Sequence, residues 1–346
     1  MNKNVLIALG AAALFGASTP LAKLLIADMP PVLVAGLLYL GSGLGLTLVR
    51  LVRDGGLKPS GLPKAEWPWL LGAILFGGVL GPVALMFGLV STSGATATLL
   101  LNLEAVLTAV IAWVVFKENA DRRIVLGMFA IVAGGVALGW QSDSTAQSSA
   151  AGPILVSIAC LCWAIDNNLT RKVSASDALF IVGVKGLIAG TVNTSLAIGM
   201  GAALPGFASM SATMVVGLMG YGISLVLFVL ALRGLGTART GAYFSTAPFI
   251  GAAIALVVFS ESTSLAFWIA AALMSLGVWL HLTESHSHEH AHEEMDHEHE
   301  HSHDEHHRHA HEVEWSGGKH SHAHKHVAMT HSHPHFPDIH HRHGHG

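Results

Sequence analysis

Apolar runs broken by charges, Gly/Pro/Ser clusters and tryptophan fill the first 282 residues and predict ten helices. They fall near 4–26, 32–51, 68–90, 94–116, 122–140, 152–172, 177–199, 211–232, 237–259 and 265–282. Each is close to the roughly 20 apolar residues that cross a hydrocarbon core. The stretch from Trp67 to Phe116 is far too long for one crossing, and Ser91-Thr-Ser-Gly94 is its natural break. The first apolar run continues past Pro20 to Ile26, beyond the about 7–15 residues of a secretory h-region, so it is read as a retained span. From residue 283 the pattern changes to His-x-His alternation with carboxylates, as in His286-Ser-His-Glu-His-Ala-His292. Such a polar, low-complexity segment has nothing with which to build a packed core, and disorder is expected. The pattern therefore predicts an all-α integral membrane protein with ten transmembrane helices and a disordered tail.

Charge agrees with that pattern. Residues 1–280 hold 14 Lys/Arg and 10 Asp/Glu, too few to cover the surface of a soluble domain of this size. With the N-terminus inside, the inner segments carry Lys3, Arg50, Arg53, Lys58, Lys64, Lys117, Arg122, Arg123, Arg171, Lys172, Arg233 and Arg239. The outer loops, around Asp28, Ser91, Asp143, Pro205 and Glu261, carry no Lys or Arg. The positive-inside rule then places both termini in the cytoplasm, in a cell membrane of the bacterial inner type. Trp67 and Trp69 on the inner side, and Trp140 and Trp268 on the outer, fit interfacial belts. Cys160 and Cys162 lie inside one apolar run and read as small buried helix residues. No nucleotide loop, nucleophile arrangement or soluble catalytic domain points to an enzyme, and nothing points to nucleic acid. Membrane lipid and a small-molecule substrate are the expected partners, and a homodimer is compatible with the chain.

The two halves resemble each other. Leu14-Phe-Gly-Ala-Ser-Thr-Pro-Leu-Ala-Lys23 aligns with Cys162-Trp-Ala-Ile-Asp-Asn-Asn-Leu-Thr-Arg171. Thr108-Ala-Val-Ile-Ala-Trp-Val-Val-Phe-Lys-Glu118 aligns with Gly251-Ala-Ala-Ile-Ala-Leu-Val-Val-Phe-Ser-Glu261. An odd number of spans per half makes the copies cross the membrane in opposite senses, the inverted-repeat plan of secondary transporters. The division is residues 1–140, an outer linker 141–151, residues 152–282, and the tail 283–346. With its five-helix repeats, the Gly16-Ala-Ser-Thr-Pro20 element, Leu-Asn-Leu-Glu104 followed by Phe-x-Glu, and Ala247-Pro248, the chain resembles the EamA branch of the drug/metabolite transporter superfamily over about residues 4–282. The resemblance implies ten helices, cytoplasmic termini and a central solute cavity. One departure is Glu104-Ala105 in the first half where the second has Ala247-Pro248, so helix 4 lacks that proline.

Charges inside a bilayer are costly and persist where they meet a partner or a wet cavity. Here they are Lys23, Glu104, Asp166 and Lys185. Asp166 and Lys185 come at comparable depth and are expected to pair, either facing a cavity or holding the halves together. Lys23 either contributes to the site or snorkels to the outer interface. Glu118 and Glu261, at helix ends, read as interfacial. Glu104, beside Asn102 in a helix of Leu, Val and Ala, has no evident structural role and is the best candidate for a coupling or substrate group. Asn167, Asn168, Asn193, Tyr243 and Ser245 extend the candidate patch, with interhelical hydrogen bonding as the plainer reading of the asparagines. Pro20, Pro82 and Pro248 are candidate hinges, since each frees backbone carbonyls within a helix.

All 24 histidines lie between His281 and His345. Candidate metal ligands are His286, His288, His290, His292, His297, His299, His301, His303, His331, His333, His335, His340, His341, His343 and His345. Neutral imidazole binds Zn, Ni, Co and Cu, so a divalent transition metal on the tail is expected while no cofactor is required for transport. The tail has three candidate roles: sensing or buffering metal to regulate the transporter, feeding metal to it, or serving as a pH-responsive or inert appendage. The function expected is a secondary active exporter of a small solute by alternating access, with protons as a candidate coupling ion. A divalent-metal (Co/Ni/Zn) exporter and a metal-sensing membrane protein are the alternatives.

Overall fold

The structure, a computed structural model, describes residues 3–56, 58–115, 122–139, 151–173, 176–235, 240, 243–282, 287–292, 295–301, 320–326 and 329–334. Lys117, Glu118, Trp140, Arg239, most of the 141–151 linker and the start of the ninth expected span lie outside those residues, as do His286, His303, His335, His340, His341, His343 and His345.

The body, Met1–Glu284, is a compact unit of helices. They are α1 (Lys3–Leu25), α2 (Pro31–Asp54), α3 (Lys64–Val90), α4 (Gly94–Val114), α5 (Arg122–Gly139), α6 (Ala151–Val173), α7 (Ala178–Gly199), α8 (Phe207–Leu235), α9 (Ala247–Phe259) and α10 (Leu265–Leu282). Seven are long and apolar enough to cross a membrane, and α5, α9 and α10 carry shorter apolar segments. Large apolar side chains such as Leu48, Phe129 and Val257 are exposed on the outside of the bundle, a surface suited to lipid and costly in water.

Three helices are irregular where the sequence pattern predicts continuous ones. In α3 a π-helical stretch, Ile74–Leu80, interrupts the α-helix. In α8 the same happens at Leu218–Ile223, the corresponding place in the second half. α4 consists of two pieces, Gly94–Leu100 and Leu103–Val114, joined by a turn at Leu101-Asn102. Its counterpart α9 starts at Ala247, with Pro248 in its first turn. A proline there costs no hydrogen bond, so Pro248 marks a helix start and not a mid-helix kink.

Helices exchange between the halves. α1 packs on α8 and α9, while α6 packs on α3 and α4. Swapping the halves (1 with 6, 3 with 8, 4 with 9) turns the first arrangement into the second. Two further pairs, α2 with α7 and α5 with α10, join equivalent helices directly. The α2–α7 seam is close because glycines meet across it: a Cβ on Gly186 would lie 2.7 Å from Gly43 Cα and 2.9 Å from Tyr39 O. Small residues let backbones approach where no hydrophobic effect drives helices together.

The end of that seam is clamped by ions. Asp177, the N-cap of α7, accepts from Leu179 N (3.1 Å), Arg50 Nε (3.1 Å) and Arg53 Nη2 (2.6 Å). Arg50 also lies over the Phe180 ring at 5.1 Å.

The tail, Ser285–Gly346, is a separate unit. Its described residues are four short strands, β1 (Ser287–His292), β2 (Met295–His301), β3 (His320–His326) and β4 (Met329–Pro334). β1 pairs antiparallel with β4 and β2 with β3, placing His290 opposite His331 and His299 opposite His322. Two-stranded ladders are marginal in water without a third layer, and these segments hold few apolar residues to supply one.

The arginine hydrogen bonds, Arg53 first, hold the Asp177 carboxyl down at about 2, from an ordinary 3.8. A carboxylate with a depressed pKa stabilises the fold above its unfolded value and loses that contribution as the pH falls through the folded one. In detergent, the thermal midpoint should therefore fall between about pH 4 and pH 2 by an amount that Asp177→Asn abolishes. At pH 7 the same variant should cost about 1–2 kcal/mol, the scale of a charge-assisted hydrogen bond.

Candidate functional site

The turn in α4 sets the position of Glu104. Asn102 precedes the second piece of the helix, its Nδ2 donating to Leu99 O at 2.9 Å, and Cys160 Sγ from α6 lies 3.6 Å from Leu100 O. Leu99 O also accepts from Asn102 N at 3.1 Å, so the side chain adds a second bond to the same carbonyl at the turn. Glu104 then falls in the first turn of Leu103–Val114, where the positive end of the helix dipole favours a carboxylate. It is also at the middle of the Gly94–Val114 span.

Across from it on α6, Asn167 Nδ2 donates to Glu104 Oε1 at 2.8 Å and to Thr108 Oγ1 at 3.3 Å. Glu104 and Thr108 are one helical turn apart and present the same face. Glu104 and Thr108 are half-exposed and Asn167 is exposed, so accessible surface reaches between α4 and α6 at mid-span. Asn168, one residue on, is buried and donates to Thr108 O at 3.2 Å and Ala164 O at 2.9 Å.

Asp166 and Lys185 are both buried and form an ion pair between α6 and α7. Thr170 Oγ1 donates to the other oxygen of Asp166 at 2.8 Å. The Asp166 carboxylate lies against Gly77 in the π-stretch of α3, where any larger residue would collide with it. Glu104 is within electrostatic reach of both partners, but it forms no ion pair with either.

The π-stretch explains why α3 needs help from its neighbours. Gly81 N–H reaches back five residues to Phe76 O. The next donor in that register would be the N–H of Pro82, which does not exist. Gly77 O accepts instead from Tyr39 Oη (2.7 Å) on α2 and Trp163 Nε1 (3.0 Å) on α6. Gly78 O accepts from Asn193 Nδ2 (3.0 Å) on α7. The proline thus ties α3 to three other helices.

Above this knot is an aromatic cluster. Phe15 of α1 meets Trp163 edge-on at 6.3 Å, Tyr221 at 6.0 Å and Phe244 at 5.2 Å. Tyr39 packs on Tyr221 at 5.4 Å, and Phe228 on Phe244 at 4.8 Å. Phe15 and Trp163 are equivalent positions of the two repeats, so their contact marks where the halves meet.

Of the residues singled out in the sequence, Glu104, Asn167, Asp166 and Lys185 come together, with Asn102 at the turn beside them. Asn193 joins through the α3 carbonyl. Lys23 is elsewhere: its Nζ donates to Leu89 O (2.8 Å) and Thr92 O at the far end of α3. Nearby, Glu261 accepts from Gly94 N (2.6 Å) and Ala95 N (2.9 Å), capping α4. Tyr243 is helical and half-exposed, just before the turn at Ser245-Thr246 that leads into α9, its carbonyl accepting from Thr246 Oγ1 at 2.7 Å. Pro20 is buried within α1. Among the described residues no three His, Cys, Asp or Glu side chains come together as a metal site would need. Sequence reasoning passed over Thr108, Tyr39, Trp163 and Phe15. The i, i+4 spacing from Glu104 and the Phe15–Trp163 alignment were the available signals.

Tyr39→Phe should destabilise the protein by about 1 kcal/mol, because Gly77 O loses a donor. In a Pro82→Ala background, where a backbone N–H returns, the same change should cost less. Thermal unfolding of the four proteins in one detergent completes the double-mutant cycle, and an equal cost in both backgrounds would show that Tyr39 does not serve the proline.

Known proteins match this arrangement along most of its length. The chain is 27% identical over 282 residues to an uncharacterized transporter of Methanothermobacter thermautotrophicus, covering 77% of this chain and 82% of that one. It is 26% identical over 290 residues to the uncharacterized transporter YyaM of Bacillus subtilis, covering 78% and 90%. A solved crystal structure superposes with a TM-score of 0.60 at 21% identity, over 81% of this chain and 95% of that one, a likeness of fold. The model of the EamA-like transporter family matches residues 2–140 and again 150–283. A body of apolar helices exchanged between two halves, with this match across both, makes the chain a multi-pass membrane protein of the EamA-like transporter family.

Proposed function

We propose that the protein exports a small solute by alternating access, with Glu104 as the group that couples transport to protons. The observation that carries this reading is the placement of Glu104. It is a carboxylate at mid-span, at the start of a broken helix, held by a neutral amide and reached by accessible surface. Transport sites of inverted-repeat proteins form at such discontinuous helices near the midplane. A carboxylate in that setting binds a proton when its surroundings dry and releases it when they become wet.

The remaining parts have distinct roles in this reading. Asp166–Lys185 and the Tyr39–Trp163–Asn193 knot hold α3, α6 and α7 together behind the site. The turn in α4 and the turn at Ser245-Thr246 ahead of α9 are the places where each bundle bends, with Pro248 fixing the helix start after the second. Lys23 and Glu261 join α1, α3, α4 and α9 at the opposite face from the Arg50–Asp177 clamp, so contacts at the two faces are available to open in alternation. The distribution of Lys and Arg supports cytoplasmic termini and a bacterial inner membrane. The histidine tail then faces the cytoplasm, where we assign it to sensing transition metal and regulating the transporter.

Reconstituted protein should accumulate substrate against a gradient when a pH difference is imposed, measured over a panel of labelled small metabolites and amines in proteoliposomes. Glu104→Gln should retain exchange of labelled for unlabelled solute while losing pH-driven accumulation. Full pH dependence in that variant would reject the coupling role. Removal of residues 285–346 should leave flux in the presence of a chelator unchanged and abolish the response to micromolar Zn or Ni. A metal response that survives the truncation would remove the tail from regulation.

A further inference from the structure

We propose that Lys23 and Glu261 form a latch that holds the outer face closed, so that the solute path in this structure opens toward the cytoplasm. The inference deepens the alternating-access reading above and rests on its orientation in the membrane.

The two pieces of α4 are packed differently. In the first, Gly94–Leu100, every residue but Thr96 is buried. That piece packs on α9 of the other bundle. A Cβ on Gly251 would collide with Thr98 Cγ2 and lie 2.5 Å from Gly16 O, so α1, α4 and α9 meet there without space between them. Past the turn, the second piece, Leu103–Val114, packs on α6, and Val106 is its one buried residue. The bundles are therefore closed on one another along the outer half of α4. Accessible surface begins beyond the turn, where Glu104 and Thr108 stand.

The latch lies at the end of the closed half. Lys23, near the end of α1, and Glu261, just past α9, come from one bundle. Both bind the main chain between α3 and α4, which belongs to the other. Lys23 Nζ donates to Leu89 O (2.8 Å) and Thr92 O, while Glu261 accepts from Gly94 N (2.6 Å) and Ala95 N (2.9 Å). The ammonium takes carbonyls at the end of α3, and the carboxylate takes amides at the start of α4. Helix ends leave such groups without intrahelical partners, and hydrogen bonds from ionised groups are the stronger kind. Lys23 and Glu261 are also within electrostatic reach of each other.

The contact is built to part. Asp166 and Lys185 are buried, whereas Lys23 and Glu261 are half-exposed, so water can replace the bonds they lose. Ser260, immediately before Glu261, ends α9 with φ at 49°, the one non-glycine in the left-handed region among the described residues. That conformation turns the chain to bring Glu261 onto α4. A serine held there is strained, and release of Glu261 frees it to relax. The same charges recur in the repeat, Arg171 aligning with Lys23 and Glu118 with Glu261, which supplies a control at the opposite face.

The test reads from which side of the membrane a Thr108→Cys reporter is reached. A membrane-impermeant charged thiol reagent is applied to intact cells and to inverted vesicles containing the full chain. Protein without the reporter gives the background from Cys160 and Cys162, both buried. We expect labelling in inverted vesicles and protection in intact cells. Lys23→Ala and Glu261→Gln should each raise labelling in intact cells about tenfold, the population shift that follows loss of a charge-assisted hydrogen bond. Lys23→Arg, which keeps a donor for the carbonyls, and Ser260→Gly, which keeps Glu261, should stay protected. Glu118→Gln should leave labelling from outside unchanged. Faster hydrogen exchange at Gly94 and Ala95 in Glu261→Gln, confined to that turn, separates an open latch from a lost fold. Labelling from outside with the latch intact would overturn the inference. So would protection that persists in both Lys23→Ala and Glu261→Gln, or equal exposure in Glu118→Gln. Labelling needs neither solute nor pH gradient, so the two readings fail separately. Latch variants that open the outer side of a protein whose flux ignores pH contradict only the coupling role. Flux driven by pH, with labelling indifferent to the latch, contradicts only the latch.

Discussion

A backbone carbonyl surrounded by hydrocarbon must find a donor within the protein, and much of this body can be read as a response to that constraint. Pro82 removes a backbone N–H from the middle of α3, and the orphaned carbonyl of Gly77 is met by Tyr39 and Trp163. Asn193 meets that of Gly78. Because those donors come from α2, α6 and α7, a local defect in one helix becomes a junction of four. The same rule governs the turn in α4, where Cys160 serves Leu100, and the far end of α3, where Lys23 serves Leu89 and Thr92. Irregular backbone is tolerated at membrane depth only where it is supplied in this way.

Charge obeys a parallel constraint. Asp166 and Lys185 would each be expensive alone; as a buried pair, with Thr170 on the second carboxylate oxygen, they are tolerated. Glu261 achieves the same by capping two amides at a helix start. Glu104 departs from this economy. It has a hydrogen bond and a favourable helix terminus but, among the described residues, no ion-pair partner, and unlike Asp166 it is reached by accessible surface. Asp166 and Glu261 are engaged by an ion pair and by amides, and Glu104, with a single neutral amide, is the one to which the proposed function gives the proton.

The exchange of helices between halves gives each bundle members from both repeats. α1 belongs by sequence to the first repeat and by packing to α8 and α9; α6 belongs to the second and packs on α3 and α4. Each bundle contains a turn at this level, within α4 at Leu101-Asn102 and ahead of α9 at Ser245-Thr246. The glycine-lined α2–α7 seam, clamped by Asp177, holds equivalent helices of the two halves together. The Phe15–Trp163 contact lies where the two bundles meet.

The sequence by itself determined the membrane class, the repeat and the short list of intramembrane charges. Those properties are one-dimensional: a run of apolar residues must span, an odd number of spans must invert, and a charge among leucines stands out without coordinates. It also brought Asp166 to the level of Lys185, since depth along a helix follows from counting residues. Which charge has a partner was decided only by tertiary structure, because pairing depends on helix rotation and neighbours that spacing leaves open. Lys23 and Glu104 looked alike in the sequence, yet one caps a helix end and the other faces an amide at mid-span. The π-stretches of α3 and α8, the turn at Leu101-Asn102 and the service of Tyr39 and Trp163 to a missing N–H were likewise invisible to periodicity. They arise from donors on distant segments, and a hydrogen bond between segments has no signature along the chain.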